Sequence, residues 1–163
     1  MRRYAWWAVF AGAFGHSYGD NDVMQMFVPG RHKPAYAANL RWDVAMDAEG
    51  AGQMRHLRDL TLSRPFFERV PDQSLIAGRN GVRYDRVVAT RGQAYAMAYS
   101  YTGRPFRIRM GVIAGRQVDA AWFDPRTGRQ TPIGRFANRG ERLFTPPGTA
   151  RPGNDWVLLL DGK

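Results

Sequence analysis

The chain has 163 residues, of which 44% are hydrophobic and 13% aromatic, so it can bury a core and we expect one or two globular domains. The absence of cysteine excludes disulfides and thiolate metal sites, and the three histidines lie too far apart in sequence for a local ligand pair, so neither a metal nor another cofactor is expected. The net charge is +10, but the arginines are spread along the chain without a nucleic-acid motif, which favours a solvated basic surface and no nucleic-acid partner.

The first predicted element is a helix in the apolar segment from Tyr4 to Phe14. With Met1–Arg3 before it, this segment imitates a secretory signal, but cleavage near Ala13 would fall directly before the polar loop that follows. The segment is well short of the roughly 20 residues that span a bilayer, so we predict a buried helix and no membrane partner. A helix that is apolar on every side needs cover on every side, and the first third of the chain offers none.

A polar loop, Gly15–Asp22, comes next and is followed by the apolar segment Val23–Phe27. The loop concentrates an imidazole, a phenol, carboxylates and a carboxamide at the end of a buried element, and such groups orient polar ligands. We therefore predict that it forms one wall of an active site. Asp20 and Asp22 could form a catalytic pair only by chance, so they are not predicted to be one.

A second helix is predicted from Trp42 to about Ser63, with Asp43 or Asp47 as its N-cap and Pro65 beyond its end. Its buried face follows three- and four-residue spacing. That face consists of Met54, Leu57, Leu60 and Thr61. The N-terminal part thus reads as helix, short strand and loop, helix, which cannot make a closed sheet by itself.

Residues 66–81 are rich in turn formers and are predicted to link this part to a second region, residues 82–163. There the hydrophobic period changes to two: Phe106–Met110 alternates apolar residues with arginines, and Ala94–Tyr101 alternates small residues with large ones. Turn sequences recur at about ten-residue intervals, which predicts about seven strands in an antiparallel β-sandwich or barrel. The apolar run Trp156–Leu160 is predicted to be its central strand. The predicted fold class is α+β.

A series of short motifs, taken in order and with their spacing, resembles one protein family. The motifs are Gly15-His16-Ser17-Tyr18-Gly19, Gln53-Met54-x-His56-Leu57, Ser63-Arg64-Pro65, Val70-Pro71-Asp72-Gln73-Ser74-Leu75, Asp124-Pro125-Arg126-Thr127-Gly128 and Asp155-Trp156-Val157-Leu158. They resemble the C-terminal part of the apiosidase-like glycoside hydrolases, and the resemblance covers nearly the whole chain. Members of that family have a (β/α)8 TIM barrel followed by a β-sandwich that is labelled a collagen-binding domain of a collagenase.

The resemblance implies that residues 1–65 are the last helix-strand-helix of such a barrel and that residues 82–163 are the sandwich. The polar loop would then lie at the C-terminal mouth of the eighth strand, where barrel enzymes place their sites. The implied substrate-binding residues are His16, Tyr18, Gly19, Asp20 and Gln25. Two catalytic carboxylates are expected on earlier strands that this chain does not contain. No catalytic residue is therefore assigned, and the chain is expected to be inactive alone.

Other interpretations stay open at this point. His16 and Tyr18 could be hydrogen-bonded polar residues at a barrel end. The sandwich could be a non-catalytic module that binds a carbohydrate or a matrix protein, and the chain could be a basic nucleic-acid-associated protein. Several rings could stack on sugars, although we expect them in the core. These are Tyr95, Tyr99, Tyr101, Trp122 and Trp156.

The expected partners follow from the same interpretation. They are the missing N-terminal barrel, a carbohydrate substrate of the full-length parent, and further copies of the chain that associate through exposed apolar surface. With its helical partners lost, residues 1–65 would be poorly ordered while the sandwich folds independently. The family suggests a secreted or periplasmic protein, but the sequence itself leaves the compartment open.

Overall fold

The computed structural model describes residues 2–31 and 33–163 and has a mixed helical and antiparallel-sheet fold, in agreement with the predicted α+β class. The helices are α1 (Arg2–Phe10), α2 (Asn21–Met24), α3 (Trp42–Ala45) and α4 (Glu49–Leu62). The strands are β1 (Val70–Pro71), β2 (Ile76–Ala77), β3 (Val88–Arg91), β4 (Tyr95–Ser100), β5 (Phe106–Arg109), β6 (Gln117–Phe123), β7 (Gln130–Ala137), β8 (Glu141–Phe144) and β9 (Trp156–Gly162). Within the described ranges, no helix combines the length and apolarity needed to cross a membrane.

The strands form two antiparallel sheets that pack as a sandwich. One sheet has six strands in the order β1-β3-β4-β9-β6-β7, and the other has three in the order β2-β5-β8. Apolar side chains from both sheets meet in a first core, because alternate residues of each strand point to the same face. Its strand members include Phe106, Ile108, Val118, Trp122, Phe144, Leu158 and Leu160. As predicted, Trp156–Gly162 is central, paired with β4 on one side and β6 on the other.

The alternation in β4 separates two cores. Ala96 and Ala98 face the first core, between the sheets, whereas Tyr95, Met97 and Tyr99 face the opposite side. All six residues of β4 are nevertheless buried, so the large-residue face must also be covered. The cover comes from helices, which makes the fold three layers deep: helices, the six-stranded sheet and the three-stranded sheet.

Helix α1 packs against this outer face of the six-stranded sheet, together with α4. Trp6 is fully buried, and its ring stacks on that of Tyr99 with 5.6 Å between centroids. Phe10 and, from α4, Leu60 complete the contact. The expectation that the N-terminal helix has lost its partners is therefore wrong: α4 covers part of it, and the large-residue face of strands more than 75 residues away in sequence covers the rest.

A buried polar network ties α1 to the start of β9. The guanidinium of Arg2 donates to both carboxylate oxygens of Asp155, at 2.8 and 2.7 Å, and to the Gln53 Oε1 at 2.6 Å. The Tyr99 hydroxyl donates to the Asp155 Oδ2 at 3.0 Å. Asp155 is fully buried, so its charge depends on these partners. Burial alone would lower the pKa of Arg2, but the hydrogen bond and charge of Asp155 raise it above its usual value.

Two predicted elements of the N-terminal part differ in the structure. In the described residues before Val70 there is no strand: Gly15–Asp20 is irregular and the next segment begins the short helix α2. A strand exists only where a neighbour completes its ladder, and these residues have none here. The helix predicted over 42–63 is interrupted after Ala45, and the N-cap of α4 is Ala48 instead of either aspartate. Its predicted apolar face is correct, since Leu57, Leu60 and Thr61 are buried and Met54 packs against them.

The predicted linker is partly built into the sandwich. β1 pairs with β3, and β2 pairs with β5, so residues 70–77 supply an edge strand to each sheet. The sequence did not reveal these strands, because each is only two residues long and lies among turn-forming residues. The remaining boundaries of the predicted domains stay a prediction.

Candidate functional site

The polar loop is held at its start by contacts between α1 and the edge of the sandwich. Arg69 Nη1 donates to the carbonyl oxygen of Val9 in the last turn of α1 at 2.6 Å. Gly12 has a φ of +109°, and a Cβ there would lie 2.7 Å from Pro71 Cγ, so only glycine fits this exit from the helix. The direction in which the chain enters the loop is therefore set by residues next to β1.

Asp20 ends the loop and begins α2. Its Oδ1 accepts a hydrogen bond from the backbone N–H of Asp22 at 2.9 Å, as expected for an N-cap aspartate. Partial burial, together with the negative charge and hydrogen-bonding of Asp20, raises the pKa of Tyr18. The phenol is protonated at neutral pH, as tyrosine ordinarily is, and can donate a hydrogen bond. A Cβ at Gly50 would lie 3.3 Å from the Tyr18 hydroxyl, so α4 approaches the ring closely.

Three of the predicted site residues line one open groove of about 570 Å³. Tyr18, Gly19 and Asp20 form its polar wall, and Met24 and Met46 contribute apolar surface. A phenol, a carboxylate and an uncovered backbone beside apolar side chains suit a ligand that has hydroxyl groups and a flat apolar face.

His16 and Gln25 are not brought to this groove. His16 lines a separate, mainly apolar cavity of about 300 Å³ with residues such as Met54 and Phe66. Both ends of the Gln25 carboxamide bond to the backbone of Ala35: its Nε2 donates to the carbonyl oxygen at 2.9 Å and its Oε1 accepts from the N–H at 3.1 Å. Gln25 thus shapes the neighbouring loop, and its predicted contact with a sugar, like those of the other four residues, stays a prediction.

Two contributors to this region were not predicted from the sequence. Asp22 Oδ1 accepts from the backbone N–H groups of Asn39 and Leu40 at 2.6 and 2.9 Å, and so fixes the loop before α3. Met46 reaches the groove from the break between α3 and α4. The aspartate carries a recognisable signal, since such residues bind nearby backbone N–H groups, whereas an apolar residue 24 positions beyond the loop carries none.

The acidic residues near the loop are engaged in structural contacts. Asp20 and Asp22 bind backbone N–H groups, and the Glu49 Oε1 accepts from Gln53 Nε2 at 2.5 Å. Glu68 accepts from the N–H of Gln93, on the far side of the helices. Among the described residues, no group of three or more histidine or acidic side chains is arranged to hold a metal ion. The groove alone therefore offers ligand-binding groups without a free pair of carboxylates.

Two solved structures are similar to almost the whole chain. One is described as a glycoside hydrolase, with 48% sequence identity and a TM-score of 0.95; it is matched over 99% of this chain and 36% of its own. The other is a glycoside hydrolase family 5 protein from Bacteroides vulgatus ATCC 8482, with 45% identity and a TM-score of 0.94, matched over 99% and 35%. The fold is thus that of part of a glycoside hydrolase, and the chain spans about a third of the length of these proteins.

Comparison with models of protein families identifies which glycoside hydrolases the chain is similar to. Residues 1–68 match the family described as "Apiosidase-like, catalytic domain", and residues 70–161, more than half of the chain, match the family described as "Putative collagen-binding domain of a collagenase". The chain therefore belongs to the apiosidase-like glycoside hydrolases that combine these two domains. A search of curated proteins gave no match.

Proposed function

We propose that this chain is the C-terminal portion of a carbohydrate-active glycoside hydrolase, with residues 1–65 as the last helix-strand-helix of a (β/α)8 barrel and residues 82–163 as an accessory β-sandwich. In this proposal the polar loop contributes part of the sugar-binding site. The match to about a third of two glycoside hydrolases supports it, as does the order of the two family matches. The chain alone is expected to lack glycosidase activity.

One observation carries the proposal: the polar loop and the helices beside it lack neighbours on one side. Among the residues that the structure describes, no strand is hydrogen-bonded to Gly15–Asp20. Most of the large apolar side chains that are exposed to solvent also lie before residue 71. Among them, Phe14 and Phe67 are 87% and 96% exposed. In a barrel every strand pairs on both sides and every helix covers strands, so both features are expected where the rest of a barrel would pack.

The chemistry of the groove fits a supporting role in glycoside cleavage. The neutral Tyr18 phenol can donate to a sugar hydroxyl, the Asp20 carboxylate can accept from one, and Gly19 lets the ligand approach the backbone. His16 and Gln25 would join them only after the missing strands reshape the loop. The acid and the nucleophile or base would come from those strands, separated by about 5 to 5.5 Å in a retaining enzyme or by more in an inverting one.

A chimera tests the proposal. The region of the 48% identical glycoside hydrolase that corresponds to this chain is replaced by residues 1–163, and hydrolysis of that enzyme's own glycoside substrate is measured. We expect activity from the chimera and none from the isolated chain. Asp20→Asn should lower kcat/KM by about tenfold or more, because it removes a charged hydrogen-bond acceptor, while asparagine still caps α2.

The control is Asp43→Asn, which removes the same charge from the start of α3, where Asp43 pairs with the exposed Arg41 and accepts from the Val44 N–H. It should leave kcat/KM within about twofold of the chimera. A folded chimera without activity, or equal losses in the two variants, would refute the role of the loop. Cleavage by the isolated 163-residue chain would refute its dependence on a larger barrel.

The alternative of a non-catalytic binding module is constrained by the helix layer. The outer face of the six-stranded sheet is covered by α1 and α4, so a carbohydrate or matrix ligand would have to bind elsewhere on the sandwich. Collagen pull-down and glycan binding with the whole chain test this alternative independently of the chimera.

A further inference from the structure

Two methionines form part of the apolar side of the groove beside the polar loop. Met24 ends α2 and Met46 lies in the break between α3 and α4, so two separate segments supply them. They are 75% and 55% exposed. The Met24 Sδ lies at the loop itself, since a Cβ at Gly19 would be 3.7 Å from it. The groove therefore presents methionine side chains to solvent next to the groups that are expected to bind a sugar.

Other methionines of the chain have different surroundings and serve as internal comparisons. Met97 and Met110 are 1% and 7% exposed and belong to the two apolar cores. Met26 is 60% exposed but is not among the described residues that line the groove. Accessibility of the thioether and a place in the groove can therefore be tested separately within one chain.

An accessible thioether is open to a defined two-electron oxidation. A lone pair of the sulfur attacks one oxygen of hydrogen peroxide, the O–O bond breaks and an S–O bond forms. The displaced oxygen leaves as water with both peroxide hydrogens, so the sulfur is oxidised and the peroxide is reduced. The product, methionine sulfoxide, is polar, and reductases convert it back to the thioether. An exposed methionine in a binding groove can thus change between an apolar and a polar side chain.

We propose that Met24 and Met46 are an oxidation site, at which a peroxide converts the apolar side of the groove into a polar one and weakens the binding of a sugar. The effect on binding rests on the function proposed above for the groove, whereas the oxidation itself does not. A sulfoxide must lose its water when the apolar face of a sugar packs on it, which costs free energy. Its oxygen is also a hydrogen-bond acceptor and would compete with the ligand for the phenol of Tyr18.

Peptide mass spectrometry of the 163-residue chain, sampled during treatment with hydrogen peroxide, tests the oxidation. Met24 and Met46 should each gain one oxygen at least about tenfold faster than Met97 and Met110, because reaction follows exposure. An unchanged far-UV circular dichroism spectrum shows that the fold persists during the reaction. Oxidation of Met24 or Met46 as slow as that of the two buried methionines would overturn the proposal. The measurement needs no glycosidase activity.

The effect on binding is tested in the chimera with glutamine as a polar, unreactive substitute for the sulfoxide. Met24→Gln combined with Met46→Gln should have a kcat/KM at least about threefold below that of Met24→Leu combined with Met46→Leu, because leucine keeps this side of the groove apolar. Met26→Gln should stay within about twofold of the unmodified chimera, because Met26 is exposed outside the groove.

The outcomes separate this proposal from the proposed function. Equal kcat/KM in the two double variants, or an equal loss from Met26→Gln, would overturn the effect of oxidation on binding. An unmodified chimera without activity would refute the proposed function and that effect with it. The oxidation site would still stand or fall on the mass spectra of the isolated chain.

Discussion

Replacing Asp155 with asparagine tests whether the helices and the sandwich fold as one unit. The carboxylate of Asp155 is fully buried and accepts hydrogen bonds from the Arg2 guanidinium and from the Tyr99 hydroxyl. Asp155→Asn preserves the volume of the side chain but leaves the Arg2 charge without its carboxylate. The change therefore isolates the buried ion pair between α1 and β9 from the apolar packing around it.

The expected loss of stability follows from the burial of the two groups. Removing one member of a buried ion pair costs about 3 to 5 kcal/mol, because the remaining charge is stranded. The Arg2 side chain is 20% exposed and keeps its bond to Gln53, so the lower end, about 3 kcal/mol, applies here. For a protein of this size that loss lowers Tm by about 6 to 12 °C.

The assay is chemical and thermal unfolding of the whole chain, followed both by far-UV circular dichroism and by tryptophan fluorescence. The control is Asp119→Asn, which breaks an exposed pair with Arg135 and should leave the unfolding midpoint nearly unchanged, because solvent screens such a pair. Wild-type protein should unfold in one transition seen by both probes. Equal losses in the two variants, or a wild-type transition in which the helices melt separately from the sandwich, would refute the reasoning.

Three further predictions concern the same framework. Trp6→Ala should cost about 3 to 5 kcal/mol in urea unfolding, against less for the half-buried Trp7→Ala, because Trp6 is fully buried on Tyr99. Hydrogen bonds from Ser74 and Arg91 lower the pKa of Asp72, although burial acts in the opposite direction. The contribution of Asp72 to folding stability should therefore be present above about pH 4 and be lost as pH falls through the lowered pKa. Asp72→Asn should flatten that part of the stability–pH profile. Gly128→Ala should cost more than about 1 kcal/mol in the same assay, since φ is +72° and the new Cβ would lie 2.5 Å from His56 Nδ1; an unchanged midpoint would contradict this.

The strand pattern was predictable because it is local, whereas the partner of each face was not. The alternation of Tyr95, Met97 and Tyr99 with alanines predicts two faces of β4 correctly. It does not say that both faces are buried, because either could meet solvent, a sheet or a helix. The burial of Trp6 against Tyr99 joins residues 93 positions apart, and only tertiary structure reveals such a pair.

The candidate site was likewise predictable only in part. Tyr18 and Asp20 were predicted from the polar loop and from the family resemblance, and both line one groove. The separation of His16 from them was not predicted, because it depends on how the loop leaves α1. The absence of a strand among the described residues before Val70 has the same origin, because strand pairing is a property of two segments and cannot be read from one of them.

Contacts between α1 and the sandwich help to position the polar loop. Asp155 holds Arg2 at the start of α1, and Arg69 binds the Val9 carbonyl near its end. Pro71 then leaves room for no more than a glycine at position 12, where the chain turns towards the loop. Asp155 and Pro71 lie in residues 70–163 and Arg69 directly precedes them, so removing residues 70–163 would free the start of the helix and the turn at Gly12. The geometry of the polar loop in a complete enzyme should therefore depend on the sandwich, even if no ligand ever binds to the sandwich itself.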